Sequence, residues 1–192
     1  MLYTPPLILQ VDYAGRAQRW INYEYYAYYV SKDLILWTVG EGIHTLKGGY
    51  QQSGDQSTIE IASIVAVKGK PPKSFKIKYD LPPLLTNKAL FRRDKNMCAY
   101  CGNQYGSKDL TRDHVQPVSR GGLDIWENVV AACSSCNKTK GNFLLTEIDM
   151  QLLYLPYAPN KAEHLILMNR NILADQMDFL LKYVPKESRL LV

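Results

Sequence analysis

Two Cys-x-x-Cys pairs, Cys98-Ala99-Tyr100-Cys101 and Cys133-Ser134-Ser135-Cys136, contain all four cysteines of the chain. A tight knuckle of this kind presents two thiolates to one ion at about 2.3 Å, and two knuckles complete a closed tetrahedral shell. The chemistry expected of Cys98, Cys101, Cys133 and Cys136 is therefore a structural Zn²⁺ site rather than a catalytic one. Disulfides are a competing reading, which a reducing cytoplasm disfavours. Tetrahedral iron is another, because Cys101-Gly102 suits it too. Four thiolates on a dication leave a net negative charge, which Arg92, Arg93 or Lys95 can partly offset.

A plain zinc ribbon uses the spacer between its knuckles only as a connection. Here the spacer contains Leu110-Thr-Arg-Asp113-His114-Val-Gln-Pro-Val-Ser-Arg120-Gly121-Gly122 and then Asp124-Ile-Trp-Glu-Asn128-Val-Val. Asn128 lies fourteen residues after His114, and the second knuckle runs on into Asn137-Lys-Thr-Lys140-Gly141. From about Thr86 to Asn142 this pattern resembles the HNH endonucleases of the four-cysteine type. The resemblance implies a two-stranded hairpin followed by a helix, the ββα-metal arrangement, with Asp113-His114 ending the first strand and Asn137 and Lys140 on the helix.

Phosphodiester hydrolysis requires a deprotonated water, a Lewis acid on the scissile phosphate and charge relief for the departing 3′ oxygen. An imidazole such as that of His114 can take the water's proton near neutral pH. Asp113, pointing to the opposite side of an extended strand, can bind a divalent cation, to which Asn137 would add a second protein oxygen. The resemblance gives Asn128 the role of tying the loop between the strands, so that a backbone carbonyl can fix the His114 tautomer. The third letter of the family name is Asn137 here rather than histidine. An Asp and Asn oxygen pair suits hard Mg²⁺ or Mn²⁺ better than the metals imidazole favours. Arg120 on the Gly-rich turn and Lys140 are candidates for phosphate contacts, as a bidentate fork and a point charge.

Charge follows the motif. From Thr86 to Lys140 nine Lys or Arg residues face five acids, so this segment carries most of the net charge of +5 and suits a polyanion partner. The expected partner is DNA, with RNA also compatible, and two strand cuts would be easier for a homodimer. No apolar run approaches the roughly 20 residues of a membrane helix, so no membrane partner is expected. The opening Met1-Leu-Tyr-Thr-Pro-Pro6 lacks the basic and apolar regions of a signal peptide, which points to the cytoplasm.

The elements that must hold these groups read as an α+β fold. Residues 1–85 are expected to form a small αβ region: strands at Leu7 to Val11, Leu34 to Thr38 and Thr58 to Val67, and a helix from Ile21 to Val30 with Asn22 as N-cap. Gly48-Gly49 and Gly54 suit turns. Prolines in Lys70-Pro71-Pro72 and Leu81-Pro82-Pro83 exclude a continuous helix and suggest a boundary near residue 85. Thr86 can cap a helix through Arg93, opening a module over residues 86–145. Residues 146–192 read as a C-terminal helical region packing on the rest. A capping-box pattern at Asn160 to Glu163 and helically spaced apolar residues from 165 to 184 predict one long amphipathic helix there.

His44 and His164 have no partners at motif spacing and are expected to be structural or solvated. The tyrosine run from Tyr23 to Tyr29 could stack bases but is read chiefly as core, as are Trp126, Val129 and Val130. The leading expectation is a metal-dependent endonuclease. The rivals are a non-catalytic zinc-ribbon module that only binds nucleic acid, and a nuclease active only within a phage or restriction assembly.

Overall fold

A computed structural model describes residues 5–40, 42–68, 82–169, 171–186 and 188–191. The proline-bracketed stretch at Lys70 to Pro72, Leu81 and the first four residues lie outside the described residues. The architecture is α+β, and the chain folds as two compact units, Met1–Asp80 with Lys161–Val192 and Leu81–Asn160.

In the first unit, β1 (Ile8–Val11), β2 (Ala17–Ile21), β3 (Ile35–Val39) and β6 (Ile64–Val67) form one sheet in the order β2-β1-β6-β3. The central pair β1 and β6 is parallel and the outer pairings are antiparallel. Both central strands are buried throughout, and strand alternation sends their side chains to two separate cores. On one face Leu9, Val11, Ile64 and Ala66 meet Ala162, Leu165, Leu180 and Val184 of the C-terminal segment. On the other, Ile8, Val65 and Val67 meet Tyr26 and Tyr29 of α1 (Tyr23–Ser31) and Ile61 at the end of β5 (Gln56–Ile61). Asn22 caps α1 as expected, its Oδ1 accepting from Tyr25 N at 3.0 Å. Tyr26 and Tyr29 therefore spend their aromatic area on core, while Tyr25 and Tyr28 are about half exposed.

Four features differ from the expectations. β2 was unforeseen, and the Gly-rich stretch read as turns holds β4 (His44–Tyr50), paired with β5. The strand expected over Thr58 to Val67 divides at Ala62-Ser63 into β5 and β6, which belong to different sheets. The single long C-terminal helix is two helices, α4 (Lys161–Met168) and α5 (Ala174–Leu181). Between them Asn169 Oδ1 accepts from Asn171 N at 3.0 Å, the local side-chain bond by which asparagine competes with a helical backbone. α5 is then anchored by Gln176, whose buried amide donates to Leu7 O and Ser63 O at 2.8 Å each.

The second unit begins with α2 (Asn87–Arg93), capped as expected by Thr86, whose Oγ1 accepts from Ala89 N at 3.2 Å. After the first knuckle come β7 (Leu110–His114), β8 (Val129–Cys133) and α3 (Ser134–Lys140), a hairpin followed directly by a helix. The strands are antiparallel, with Leu110 opposite Cys133 and His114 opposite Val129. The core of this unit is Leu90, Phe91, Leu110, Trp126, Val129 and Ala131. Trp126 and Val129 thus serve as core, as expected. Arg93 lies at its centre, 1% exposed, giving all its donor directions to Asp94, Trp126 O, Tyr157 O and Val129 O at 2.7–3.1 Å. A guanidinium used up inside the fold cannot offset the thiolates or meet a phosphate, which corrects that reading of Arg93.

Candidate metal and active centre

The sulfurs of Cys98, Cys101, Cys133 and Cys136 lie within 4.8 Å of one another. Sulfurs on a tetrahedral zinc with 2.3 Å bonds would sit about 3.8 Å apart, so the cluster needs only a small contraction to close on one ion. Backbone geometry builds the knuckles: Gly102 N donates to Cys98 O at 3.0 Å, and Cys136 N approaches Cys133 Sγ at 3.4 Å. The thiols are driven in opposite directions. Burial pushes Cys98 and Cys136 up. At Cys133 burial also acts upward, but the Cys136 amide, Tyr105 and the neighbouring thiols outweigh it and pull the value down to about 6. Four sulfurs this close cannot all ionise without a cation, and a dication is what resolves that conflict. The donor set fits Zn²⁺.

β7 separates the catalytic candidates by alternation. Asp113 turns inward, 4% exposed, and Lys140 on α3, 0% exposed, places Nζ 3.1 Å from its Oδ1. The same ammonium donates to His114 O at 2.7 Å. Tyr100, from the middle of the first knuckle, donates its hydroxyl to the other carboxylate oxygen. Burial first, and then this bond to Asp113, push the Tyr100 hydroxyl well above the ordinary tyrosine range, so it remains a donor. On the same side of β7, Asn137 donates through Nδ2 to Thr111 Oγ1 at 2.8 Å.

His114 projects to the opposite side with its side chain 23% exposed, and its Nε2 is 2.9 Å from Asp124 Oδ1. Asp124 also accepts from Arg112 Nη1 at 2.7 Å, and that pairing, followed by His114, holds its carboxyl below the ordinary range. The loop between the strands is pinned by Asn128: Oδ1 accepts from Gln116 N at 2.9 Å, while Nδ2 donates to Gln116 O at 3.1 Å and Leu123 O at 2.8 Å. Gly122 is required there, because a Cβ would stand 1.9 Å from Gln116 O. The hydrogen-bond partner of the His114 ring is thus the Asp124 carboxylate.

Arg120 is exposed and paired with Glu147 at 2.6 Å. Lys140 is spent on Asp113 and the His114 carbonyl, so its ammonium faces the interior. Lys140 of α3 meets Asp113, Asn137 of the same helix meets Thr111 two residues before it, and His114 and Asn128 lie at the loop, with Arg120 further along it. Two residues escaped sequence reasoning: Asp124, quoted with the motif but given no role, and Tyr100, inside the first knuckle. An acid ten residues after a candidate base was a usable signal for the first; nothing in the sequence marked the second.

The fold and site define a ββα unit stapled by a four-cysteine centre. Residues 98–153 match the family model of the HNH endonucleases. The chain is also 27% identical over 134 residues to the CRISPR-associated endonuclease Cas9 of Corynebacterium diphtheriae, an alignment covering 65% of this chain and 12% of that protein. The chain therefore spans only a small part of that relative's length. Together with the gathered cysteines, these matches bear out the resemblance of the central segment to the HNH endonucleases. Among the described residues, no helix is long and apolar enough to cross a membrane.

Proposed function

We propose that this chain is a metal-dependent HNH endonuclease that hydrolyses phosphodiester bonds of DNA, with its chemistry in the 86–145 segment. The observation that carries this reading is the environment of His114, a partly exposed imidazole at the end of β7 whose Nε2 meets an ionised Asp124. With the Nε2 proton given to Asp124, Nδ1 is the nitrogen left to accept a proton, the arrangement of base and orienting carboxylate. His114 takes the proton from a water as its oxygen bonds to phosphorus. The bond from phosphorus to the 3′ oxygen then breaks, leaving a 5′ phosphate and, once solvent protonates the leaving oxygen, a 3′ hydroxyl. Asp113 and Asn137 would hold a divalent ion, which when bound would supply Lewis acidity to the phosphate. Its protein donors here are hard oxygens, which suits Mg²⁺ or Mn²⁺. Asn128 holds the loop that carries Asp124, and Arg120 meets a backbone phosphate by exchanging it for Glu147. Lys140 acts on the phosphate through Asp113 rather than by direct contact.

A reducing cytoplasm keeps the four thiols available for zinc. A double-strand cut takes two such centres, which a homodimer would supply. The match to 12% of a much longer endonuclease supports a second reading, that the module acts within a larger assembly.

The test is to incubate the protein and its His114→Ala variant with supercoiled plasmid in Mg²⁺, Mn²⁺ or EDTA at low salt, where phosphate-driven binding is strongest. Nicking by the wild type in metal, absent in EDTA and in the variant, is the expected result. A folded, zinc-loaded wild type that leaves plasmid intact would refute autonomous nuclease activity and turn attention to a partner.

A further inference from the structure

The divalent site built on Asp113 already contains a cation. Lys140 is fully buried, 3.1 Å from Asp113 Oδ1, and its second bond to His114 O at 2.7 Å fixes it in place. Around His114 the pattern repeats, because Asp124 is matched by Arg112 at 2.7 Å. Asn137 contributes no charge, so of the two protein oxygen ligands only Asp113 is charged, and Lys140 matches it. The protein side of the catalytic centre thus presents oxygen ligands with no negative charge left over. A dication entering a buried, neutral donor set loses hydration without a compensating charge. A scissile phosphodiester supplies the missing negative charge.

We propose that Lys140 makes divalent-cation binding depend on substrate: the free protein holds Mg²⁺ or Mn²⁺ weakly, and the ion and the DNA phosphate enter the Asp113 site together. This rests on Asp113 being the catalytic metal ligand. By reciprocity, the ion must tighten the phosphate as much as the phosphate tightens the ion. The device keeps the centre from being charged with metal, and so from hydrolysing, until a nucleic-acid strand is in place.

The experiment is a Mn²⁺ titration by electron paramagnetic resonance on the zinc-loaded His114→Ala chain, which cannot consume its substrate. It is run with and without a short DNA duplex, with duplex alone as the blank. Lys140→Met is titrated in the same way without DNA, with zinc content and thermal melting as checks on folding. One Mn²⁺ site at least about tenfold tighter with duplex is expected, and Lys140→Met should show a similar gain without duplex. Equal Mn²⁺ affinity with and without duplex overturns the proposal, and this arm needs no Lys140 variant to fold. A folded Lys140→Met chain binding no tighter than its parent also overturns it. The outcomes separate from those of the nuclease reading. Plasmid cutting without any duplex-dependent Mn²⁺ site leaves the nuclease and removes the coupling, whereas a Lys140→Met gain in a chain that cuts nothing does the reverse.

Discussion

Replacing Tyr100 by phenylalanine removes one oxygen and leaves the ring, so it isolates the hydroxyl that Tyr100 donates to Asp113. Asp113 is 4% exposed, and water has little room to take the vacated place. A hydrogen bond to a charged acceptor contributes roughly 1.5–3 kcal/mol, and Tyr100 is only partly buried, so a loss of about 2 kcal/mol is expected. The assay is urea unfolding of the zinc-loaded protein, followed by fluorescence and by zinc release, at several pH values. The pH dependence gives a second, independent signature. Burial and Asp113 raise the folded-state value of Tyr100 above its ordinary 10.0. The unfolded tyrosine ionises first as pH rises, so this contribution is fully present below pH 10 and is lost above it. The gap between wild type and Tyr100→Phe should therefore be widest near pH 8 and shrink above pH 10. A variant within about 0.3 kcal/mol of wild type at pH 8, or a gap that widens in alkali, would refute the placement of Tyr100 on Asp113.

Other expectations follow from the same geometry. Arg93→Ala takes the guanidinium from the buried Asp94 carboxylate and strands three carbonyls, so it should cost about 3–5 kcal/mol in urea unfolding; a loss under about 1 kcal/mol would contradict the buried pair. Asn128→Ala deletes three hydrogen bonds across the 115–128 loop, about 1 kcal/mol each, and should speed limited proteolysis there while zinc is retained; unchanged cleavage kinetics would count against its role as the loop's tie. Cys98→Ser should abolish stoichiometric zinc measured by elemental analysis, with hydrogen exchange accelerating in β7, β8 and α3. Full zinc retention would remove Cys98 from the ligand set.

Sequence spacing by itself determined the metal knuckles and the order Asp113, His114, Asn128, Asn137, because such motifs are short and local. The sulfurs of two Cys-x-x-Cys turns gather within 4.8 Å of one another, and strand alternation must send Asp113 and His114 to opposite sides. The same locality made the caps at Asn22 and Thr86 legible, since each involves a bond only three residues long. Strand endings were less legible: Thr58 to Val67 is continuously strand-like in composition, and only the choice of partners divides it between β4 and β1. The break between α4 and α5 likewise left the apolar period intact while an asparagine turn interrupted the backbone.

Tertiary structure alone decided where the charges went. Arg93 and Lys140 count as surface positives in a sequence, yet both are buried and paired, so part of the basic excess around the motif never reaches solvent. Which carboxylate steadies His114, and which hydroxyl and ammonium hold Asp113, depended on bringing residues ten to twenty-seven positions apart within hydrogen-bond reach. Period and propensity act over a few residues, whereas compensating a buried charge requires whatever partner the folded chain places beside it.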